Sequence, residues 1–172
     1  QGRCLIQGGR ATTTIAYRAG VLAADSQITF ATTRFAQSSN KAKRLPNGAL
    51  VAWAGDLLAG SRLMELLEKS GGKLTDKLLV KCEGADALYV YPDGRVMAVK
   101  GGEEGGSALL EGEFFAEGSG YVAALAAMKA GADAVRAIEI ACELDTSSAL
   151  PVVSVKLDTV QWKTPVKKRR TR

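Results

Sequence analysis

Apolar and polar positions alternate in short runs over the first third of the chain, which is typical of β-structure. The segment from Thr14 to Asp25 contains two β-rich runs on either side of Ala19-Gly20, and this arrangement predicts a tight hairpin. The segment Thr29 to Gln37 is polar and β-branched and predicts either a meandering strand or a loop. A fully apolar run, Leu50 to Ala54, ends at Gly55 and predicts a short buried strand.

The period of the apolar positions then changes to that of a helix. One helical face carries Ala59, Leu63, Leu66 and Leu67, and Glu65 and Lys69 stand four residues apart on the outer face. This helix is predicted to end at Gly71-Gly72. The remaining predicted elements are a short helix at Leu74 to Val80, a hairpin of Ala87 to Tyr91 and Arg95 to Val99 around Pro92-Asp93-Gly94, a loop at Gly101 to Gly106, a strand at Phe114 to Glu117, helices at Tyr121 to Ala130 and Asp133 to Leu144, and strands at Pro151 to Leu157 and Val160 to Lys163.

The order of these elements is strands, helix, strands, helices, strands. A parallel sheet would require strands and helices to alternate along the chain. We therefore expect an α+β fold in which antiparallel sheets form a sandwich with helices on the outside.

Composition places the chain among ordinary globular proteins. It has 172 residues, of which 47% are hydrophobic, and no apolar run approaches the roughly 18 residues that a membrane span needs. Its three cysteines, Cys4, Cys82 and Cys142, are far apart and show neither a disulfide framework nor zinc spacing. We therefore expect no membrane insertion and a reducing cytoplasmic location.

The positive charge of the chain is concentrated at its C-terminus. The net charge is +5, and much of it comes from Lys167, Lys168, Arg169, Arg170 and Arg172. Without this tail the rest of the chain is nearly neutral, so nucleic acid is not an expected partner.

Residues 1–11 lack an initiator Met and a signal-peptide core, and we interpret them as a propeptide or extension outside the fold. The expected main domain spans residues 12–164, and a basic tail spans residues 165–172.

Three consecutive threonines, Thr12, Thr13 and Thr14, carry the most informative chemistry. The chain contains no histidine, which excludes Ser/His, Cys/His and His-ligated metal mechanisms. A threonine hydroxyl can instead be activated by its own α-amine once the preceding bond is cleaved, because a terminal amine titrates at roughly 7.7 to 8.0. The threonines therefore predict an N-terminal nucleophile.

Five segments together resemble the proteasome β subunit and its bacterial relative HslV. They are Thr12 to Asp25, Lys41 to Leu45, Trp53-Ala54-Gly55, Gly118-Ser119-Gly120 and Asp145 to Ser148. The resemblance implies an N-terminal nucleophile hydrolase with a four-layer αββα fold, acting as a threonine-type endopeptidase on peptides or unfolded proteins. It further implies a homo-oligomeric ring, allows an ATP-dependent unfoldase as a partner, and requires no metal or organic cofactor.

The resemblance assigns a charged pair to Asp25 and Lys41. Their sixteen-residue interval matches that of the family, in which the carboxylate orients a lysine beside the nucleophile. A buried ammonium there would lower the pKa of the attacking group and would need Asp25 as its counter-ion. The alternative is an ordinary solvated salt bridge on the surface.

Gly55 and Trp53 are matched to the binding side of the family's site. The amide of Gly55 would stabilise the oxyanion, an effect of about 2.7 to 4 kcal/mol. Trp53 would restrict the specificity pocket, and the alternative for it is simple core packing.

Ser119, Asp145 and Ser148 complete the implied site by orienting the threonine amine. Asp145 and Ser148 keep the family's interval of three residues. Each has a plainer alternative, because Ser119 could cap the following helix and residues 145–148 could form a turn.

Two arguments about the nucleophile conflict. Direct alignment with the common proteasome start favours Thr12, with Ala11 before the cleaved bond. The first hairpin is shorter than in the family, however. For the threonine and the aspartate to keep pointing at one site, the two strands must be shortened equally, so the total number of residues lost must be even, because a shift of one residue reverses the facing of every side chain. An even total favours Thr13. We favour Thr13 as the nucleophile and retain Thr12 as the alternative.

The alternative function is a noncatalytic ring or scaffold subunit whose prefix stays uncleaved.

Overall fold

The computed structural model describes residues 10–11, 13–30, 33–38 and 41–158. The strands are β1 (Arg10–Ala11), β2 (Thr14–Arg18), β3 (Val21–Asp25), β4 (Gln27–Phe30), β5 (Thr33–Gln37), β6 (Ala42–Arg44), β7 (Leu50–Asp56), β8 (Ala85–Val90), β9 (Val96–Lys100), β10 (Gly106–Leu110), β11 (Phe114–Gly118) and β12 (Val152–Lys156). The helices are α1 (Leu57–Lys69), α2 (Asp76–Leu79), α3 (Tyr121–Lys129) and α4 (Ala134–Leu144).

The strands form two antiparallel sheets and a separate hairpin. Sheet A has the order β1-β7-β8-β9-β10, and β6 also pairs with β7. Sheet B has the order β11-β2-β3-β12, and β4 pairs with β5. In the tight turn between β2 and β3, Ala19 and Gly20 have φ angles of 48° and 81°, the positive values that a two-residue hairpin of this type needs.

Three apolar cores show that the molecule has four layers. The first lies between sheet A and helices α1 and α2, and contains Trp53, Leu63 and Leu67. The second lies between the two sheets and contains Ile15 and Leu88. A third core joins sheet B to helices α3 and α4. The predicted αββα sandwich of antiparallel sheets is confirmed.

Arg18 ties sheet B to the outer helices. Its guanidinium donates to the carbonyl oxygens of Met128 and Ala132, both at 2.6 Å, and lies 5.6 Å from the ring centroid of Phe114. These carbonyls lie at and just beyond the end of α3, where backbone acceptors lack helical partners. The C-terminal end of β2 is thereby held in a fixed position under the helix layer.

Most predicted elements are present with small shifts in their bounds, whereas β1, β6 and β10 lie where no strand was predicted. Thr29 to Gln37 belongs to the hairpin of β4 and β5, where the sequence left a strand or a loop open. Strand β10 was not predicted at all. It follows the glycine-rich loop directly and lies at a sheet edge with mostly exposed residues, so it lacks the apolar alternation that reveals a half-buried strand.

The two described residues of the N-terminal prefix pair with sheet A. Residues 1–11 were expected to lie outside the fold, but Arg10 and Ala11 pair with Asp56 and Gly55 of β7. Thr12, the predicted strand Val160 to Lys163 and the basic tail lie outside the described residues. None of the described helices is long and apolar enough to cross a membrane.

Candidate active site

The alternation of side chains along β2 separates the two described threonines. Ile15 and Tyr17 point into the core between the sheets, whereas Ala16 points towards the helices. By the same alternation Thr14 faces the helix layer and Thr13 faces the space between the sheets. Thr13 and Thr14 therefore face different parts of the molecule.

Thr14 is fully engaged in hydrogen bonds. Its Oγ1 accepts from the amide of Gly120 at 2.8 Å and lies 2.7 Å from the hydroxyl of Ser148. Its amide donates to Oδ1 of Asp25 at 2.9 Å. A hydroxyl with two such partners in the interior is held in place as a structural group.

Thr13 is also fully buried, but its hydroxyl differs. Within the described residues its Oγ1 has no hydrogen-bond partner. Its carbonyl oxygen accepts from the amide of Ser119 at 3.2 Å. Gly118 has a φ of 95°, and a Cβ on it would overlap the carbonyl oxygen of Thr13, so only glycine allows this close approach. Thr13 thus offers an uncommitted hydroxyl on a fixed backbone.

Asp25 and Lys41 form a buried ion pair immediately beside the threonines. Both side chains have no solvent exposure, and Lys41 Nζ lies 3.5 Å from Asp25 Oδ1. The ammonium also donates to the carbonyl oxygen of Gln27. Since Asp25 Oδ1 accepts from the Thr14 amide as well, one carboxylate oxygen links Lys41 to the residue that follows Thr13. The alternative from the sequence, a solvated salt bridge on the surface, is therefore wrong, because both side chains are buried.

The electrostatics of this pair follow from its burial. Burial lowers the pKa of Lys41, and the charge of Asp25 opposes that shift. Burial raises the pKa of Asp25, opposed by Lys41 and by the backbone N–H groups of Thr14, Gln27 and Ala149. The three N–H donors favour the charged form of the Asp25 carboxylate. The lowered pKa of Lys41 means that its ammonium releases a proton more readily than that of an exposed lysine.

Ser119, Asp145 and Ser148 meet in one hydrogen-bonded network. Oδ2 of Asp145 accepts from the hydroxyls of Ser119 at 2.5 Å and of Ser148 at 2.7 Å. Asp145 is the C-cap of α4, and Gly120 is the N-cap of α3 without a side-chain cap bond, so Ser119 does not cap that helix. Through Ser148 the network continues to the hydroxyl of Thr14.

Gly55 lies at the end of β7 with a φ of 92°. A Cβ there would overlap the carbonyl oxygen of Gly84, which explains the requirement for glycine. In the sheet Gly55 is opposite Ala11 on one side and Ala85 on the other. The peptide segment directly before the threonines therefore lies along Gly55.

Trp53 is 1% exposed and lies in the core between sheet A and α1. A Cβ on Gly60 of α1 would overlap its indole ring, so Trp53 fills the space under that helix.

Within the described residues, no three His, Cys, Asp or Glu side chains lie close enough together to form a metal site.

Sequence reasoning missed two participants in this site. One is the carbonyl oxygen of Gln27, which accepts from Lys41, and a backbone acceptor leaves no signal in residue type. The other is Thr14, whose anchoring role only the alternation along β2 shows. Thr12, the other predicted nucleophile, lies outside the described residues.

The comparison with solved structures concerns the whole arrangement. The chain is similar to Thiobacillus denitrificans BPH in complex with epoxomicin, with a TM-score of 0.60 and 21% sequence identity, over 86% of this chain and 100% of that chain. A second structure of Thiobacillus denitrificans BPH matches with a TM-score of 0.55 and 22% identity, over 86% of this chain and 98% of that chain. The proteins share a fold.

That likeness shows a shared architecture but not a shared activity, because the sequence identity is low. BPH is a bacterial proteasome homologue, and epoxomicin is a proteasome inhibitor. The likeness therefore supports a proteasome-like fold in general and does not single out HslV. No protein-family model and no curated protein matches the chain.

Proposed function

We propose that the protein is a threonine-type endopeptidase whose nucleophile is Thr13, exposed as an N-terminus by removal of the preceding residues. The observation that carries the proposal is that the buried Thr13 hydroxyl has no hydrogen-bond partner within the described residues, while the amide of the next residue, Thr14, bonds to Asp25 of the buried Asp25–Lys41 pair. Buried polar groups are normally satisfied, so a buried hydroxyl without a partner is a candidate for a functional role.

The reaction is acyl transfer. The freed α-amine of Thr13 takes the hydroxyl proton, directly or through water, as Oγ1 attacks the substrate's peptide carbonyl. The C–N bond then breaks, the proton passes to the leaving amine, and an ester to Thr13 remains. Water hydrolyses this ester, which regenerates the hydroxyl and releases the carboxylate product.

The surrounding residues have separate roles in this proposal. Lys41, held by Asp25, favours the developing alkoxide, and the Gly55 amide stabilises the oxyanion. The network of Ser119, Asp145 and Ser148 positions the threonine segment through Thr14. The pairing of β1 with β7 supports a binding mode in which an extended peptide adds to the edge of β7.

Covalent labelling tests the proposal directly. The protein is incubated with an epoxyketone such as epoxomicin, the inhibitor bound by the similar BPH, and the labelled peptide is mapped. We expect modification of Thr13 in a chain that starts at this residue, and none in Thr13→Ala. Labelling of Thr12 would overturn the choice of nucleophile, and no labelling of a chain with a free Thr13 amine would overturn the chemistry.

A noncatalytic scaffold subunit is the second candidate function. It is favoured by the pairing of the prefix residues Arg10 and Ala11 with β7, which covers the edge that a substrate would need. Intact-mass measurement separates the two candidates. A purified, assembled protein that retains Gln1 and does not react with the epoxyketone supports the scaffold.

A further inference from the structure

The two sheets differ in width, and this difference leaves a cleft beside the candidate site. Strand β11 is an edge strand of sheet B and packs across β7 and β8, whereas sheet A continues to β9 and β10. The inner face of β9 and β10 is thus only partly covered next to β11: Val96 is buried in the core between the sheets, whereas Ala98 and Leu110 line a cleft together with residues of α3. The cleft measures about 500 Å³, and its lining includes Leu88, Leu110, Phe115, Glu117, Tyr121 and Leu125.

Among the described residues that line the cleft, Glu117 is the single charged one. Its side chain is half-buried, and within the described residues its carboxylate forms neither a hydrogen bond nor an ion pair. Burial, together with the charge of Asp86, raises the pKa of Glu117 to about 6, and Lys100 opposes this shift. Asp86 and Lys100 are opposite each other in β8 and β9. When all three groups are ionised, one negative charge is left uncompensated at the end of an apolar cleft.

We propose that this cleft binds a long side chain with an apolar stem and a cationic end, lysine or arginine, with the carboxylate of Glu117 as its counter-ion. The aliphatic stem would lie against Leu88, Leu110 and Phe115, and the cation would reach Glu117. Lysine and arginine are the side chains that combine such a stem with a charge. A neutral apolar side chain would leave the carboxylate unpaired and further desolvated.

The position of the cleft makes it a subsite of the peptidase, and this part rests on the proposed function. Glu117 is opposite Ile15, and Thr13 precedes Ile15 by two residues on the same face of β2. Such diagonal neighbours lie about 7 to 8 Å apart. The prefix strand β1 occupies the other side of β7, away from β8 to β10. If Thr13 attacks the bond that precedes it, the prefix is the acyl half of that bond, so a substrate whose acyl half follows β1 would place a residue of its leaving half in the cleft.

A binding experiment tests the cleft without catalysis. Full-length Thr13→Ala is titrated by calorimetry with 6-phenylhexylamine and with 6-phenylhexanol at neutral pH. We expect the amine to bind about tenfold more tightly than the alcohol, a difference of about 1.4 kcal/mol, because a hydrogen bond between two charged groups is stronger than one from a neutral hydroxyl. The difference should disappear in Glu117→Gln and persist in Glu113→Gln, which removes an exposed carboxyl in the loop before β11. Equal binding of the two probes, or no effect of Glu117→Gln, would overturn the proposal.

A cleavage experiment tests the subsite. The enzyme that begins at Thr13 is given peptides that differ only in having lysine or norleucine after the cleaved bond. We expect kcat/KM to be about tenfold higher for lysine, and the preference to be lost in Glu117→Gln. Selective amine binding without a lysine preference would refute the subsite. Selective amine binding without cleavage of any peptide would refute the peptidase and leave the cleft's cation preference standing.

Discussion

At the scale of single residues, two adjacent threonines have opposite environments. Thr14 is anchored by Gly120, Ser148 and Asp25, whereas the hydroxyl of Thr13 has no partner within the described residues. The strand places them on opposite faces of the sheet, so one fixes the backbone while the other remains chemically available. Substitutions at these two positions should therefore have different consequences.

The Asp25–Lys41 pair should couple stability to activity. Lys41→Met leaves Asp25 as an unpaired buried charge, and we expect a loss of about 3 kcal/mol in the free energy of unfolding together with loss of peptidase activity. Adding Asp25→Asn should recover part of the stability but no activity. Urea denaturation measures this, and Lys69→Met, at an exposed pair with Glu65, is the matched control with a change below about 1 kcal/mol. A Lys41→Met variant as stable as the control would contradict the expectation.

Glu117 should make stability depend on pH. Its pKa is raised to about 6 in the folded protein, chiefly by burial and then by Asp86, from an ordinary value of 4.5. The folded state therefore binds more protons between these values, and the associated stability is fully present below about pH 4.5 and is lost as pH rises through 6. At pH 7.5 Glu117→Gln should be about 1 kcal/mol more stable than the parent, allowing for solvent screening of this partly exposed group. Thermal unfolding should show that the difference vanishes at pH 4.

At the scale of elements, the junction of β11 and α3 determines the position of Thr13, the proposed nucleophile. Gly118 approaches the Thr13 carbonyl too closely for any Cβ, and the Ser119 amide bonds to the same oxygen. The strand end and the helix start therefore act together as a template for residue 13. This is the element whose disturbance should affect catalysis before it affects the rest of the fold.

Gly118→Ala tests that template against Gly131→Ala. Both glycines have positive φ angles, 95° and 111°, so both substitutions carry backbone strain of about 1 to 2 kcal/mol. A Cβ at Gly131 meets nothing within 4 Å, whereas at Gly118 it overlaps backbone. We expect Gly118→Ala to be clearly less stable and to lose peptidase activity, measured by melting temperature and peptide hydrolysis. Equal behaviour of the two variants would show that close packing at Gly118 is unimportant.

At the scale of the whole molecule, the outer helix layer carries large apolar side chains in contact with solvent. Val122 of α3 is 63% exposed and Leu144, at the end of α4, is 72% exposed. Burying these side chains at a contact between copies of the chain would remove apolar surface from water. Such a contact agrees with the homo-oligomeric ring that the resemblance to proteasome subunits implies, and the ring remains a proposal.

Light scattering during size-exclusion chromatography tests the assembly. We expect a mass that is a multiple of the monomer mass, and dissociation on Val122→Lys with Leu144→Lys because charge is then buried at the contact. Leu109→Lys, which changes a side chain that is 53% exposed on β10, is the control and should leave the mass unchanged. A monomeric parent would contradict the ring.

Local signals in the sequence were sufficient for the hairpin of β2 and β3, for helices α1, α3 and α4, and for the sandwich class. A turn of Ala19-Gly20 or a helical apolar face depends on residues close together in the chain, so it can be inferred without the rest of the molecule. Strand β10 could not be inferred in this way, because an exposed edge strand is specified by its partner β9 and not by its own alternation.

The sequence by itself determined the identities and order of the candidate site residues, from Thr13 through Asp25 and Lys41 to Ser148, because residue type and chain order are local properties. Only the tertiary structure decided which of the described threonines has an unpartnered hydroxyl, that Asp25 and Lys41 are fully buried, and that Glu117 lines an open cleft. Burial, register and the unequal widths of two sheets arise from contacts between segments distant in the chain, and no short stretch of sequence contains that information.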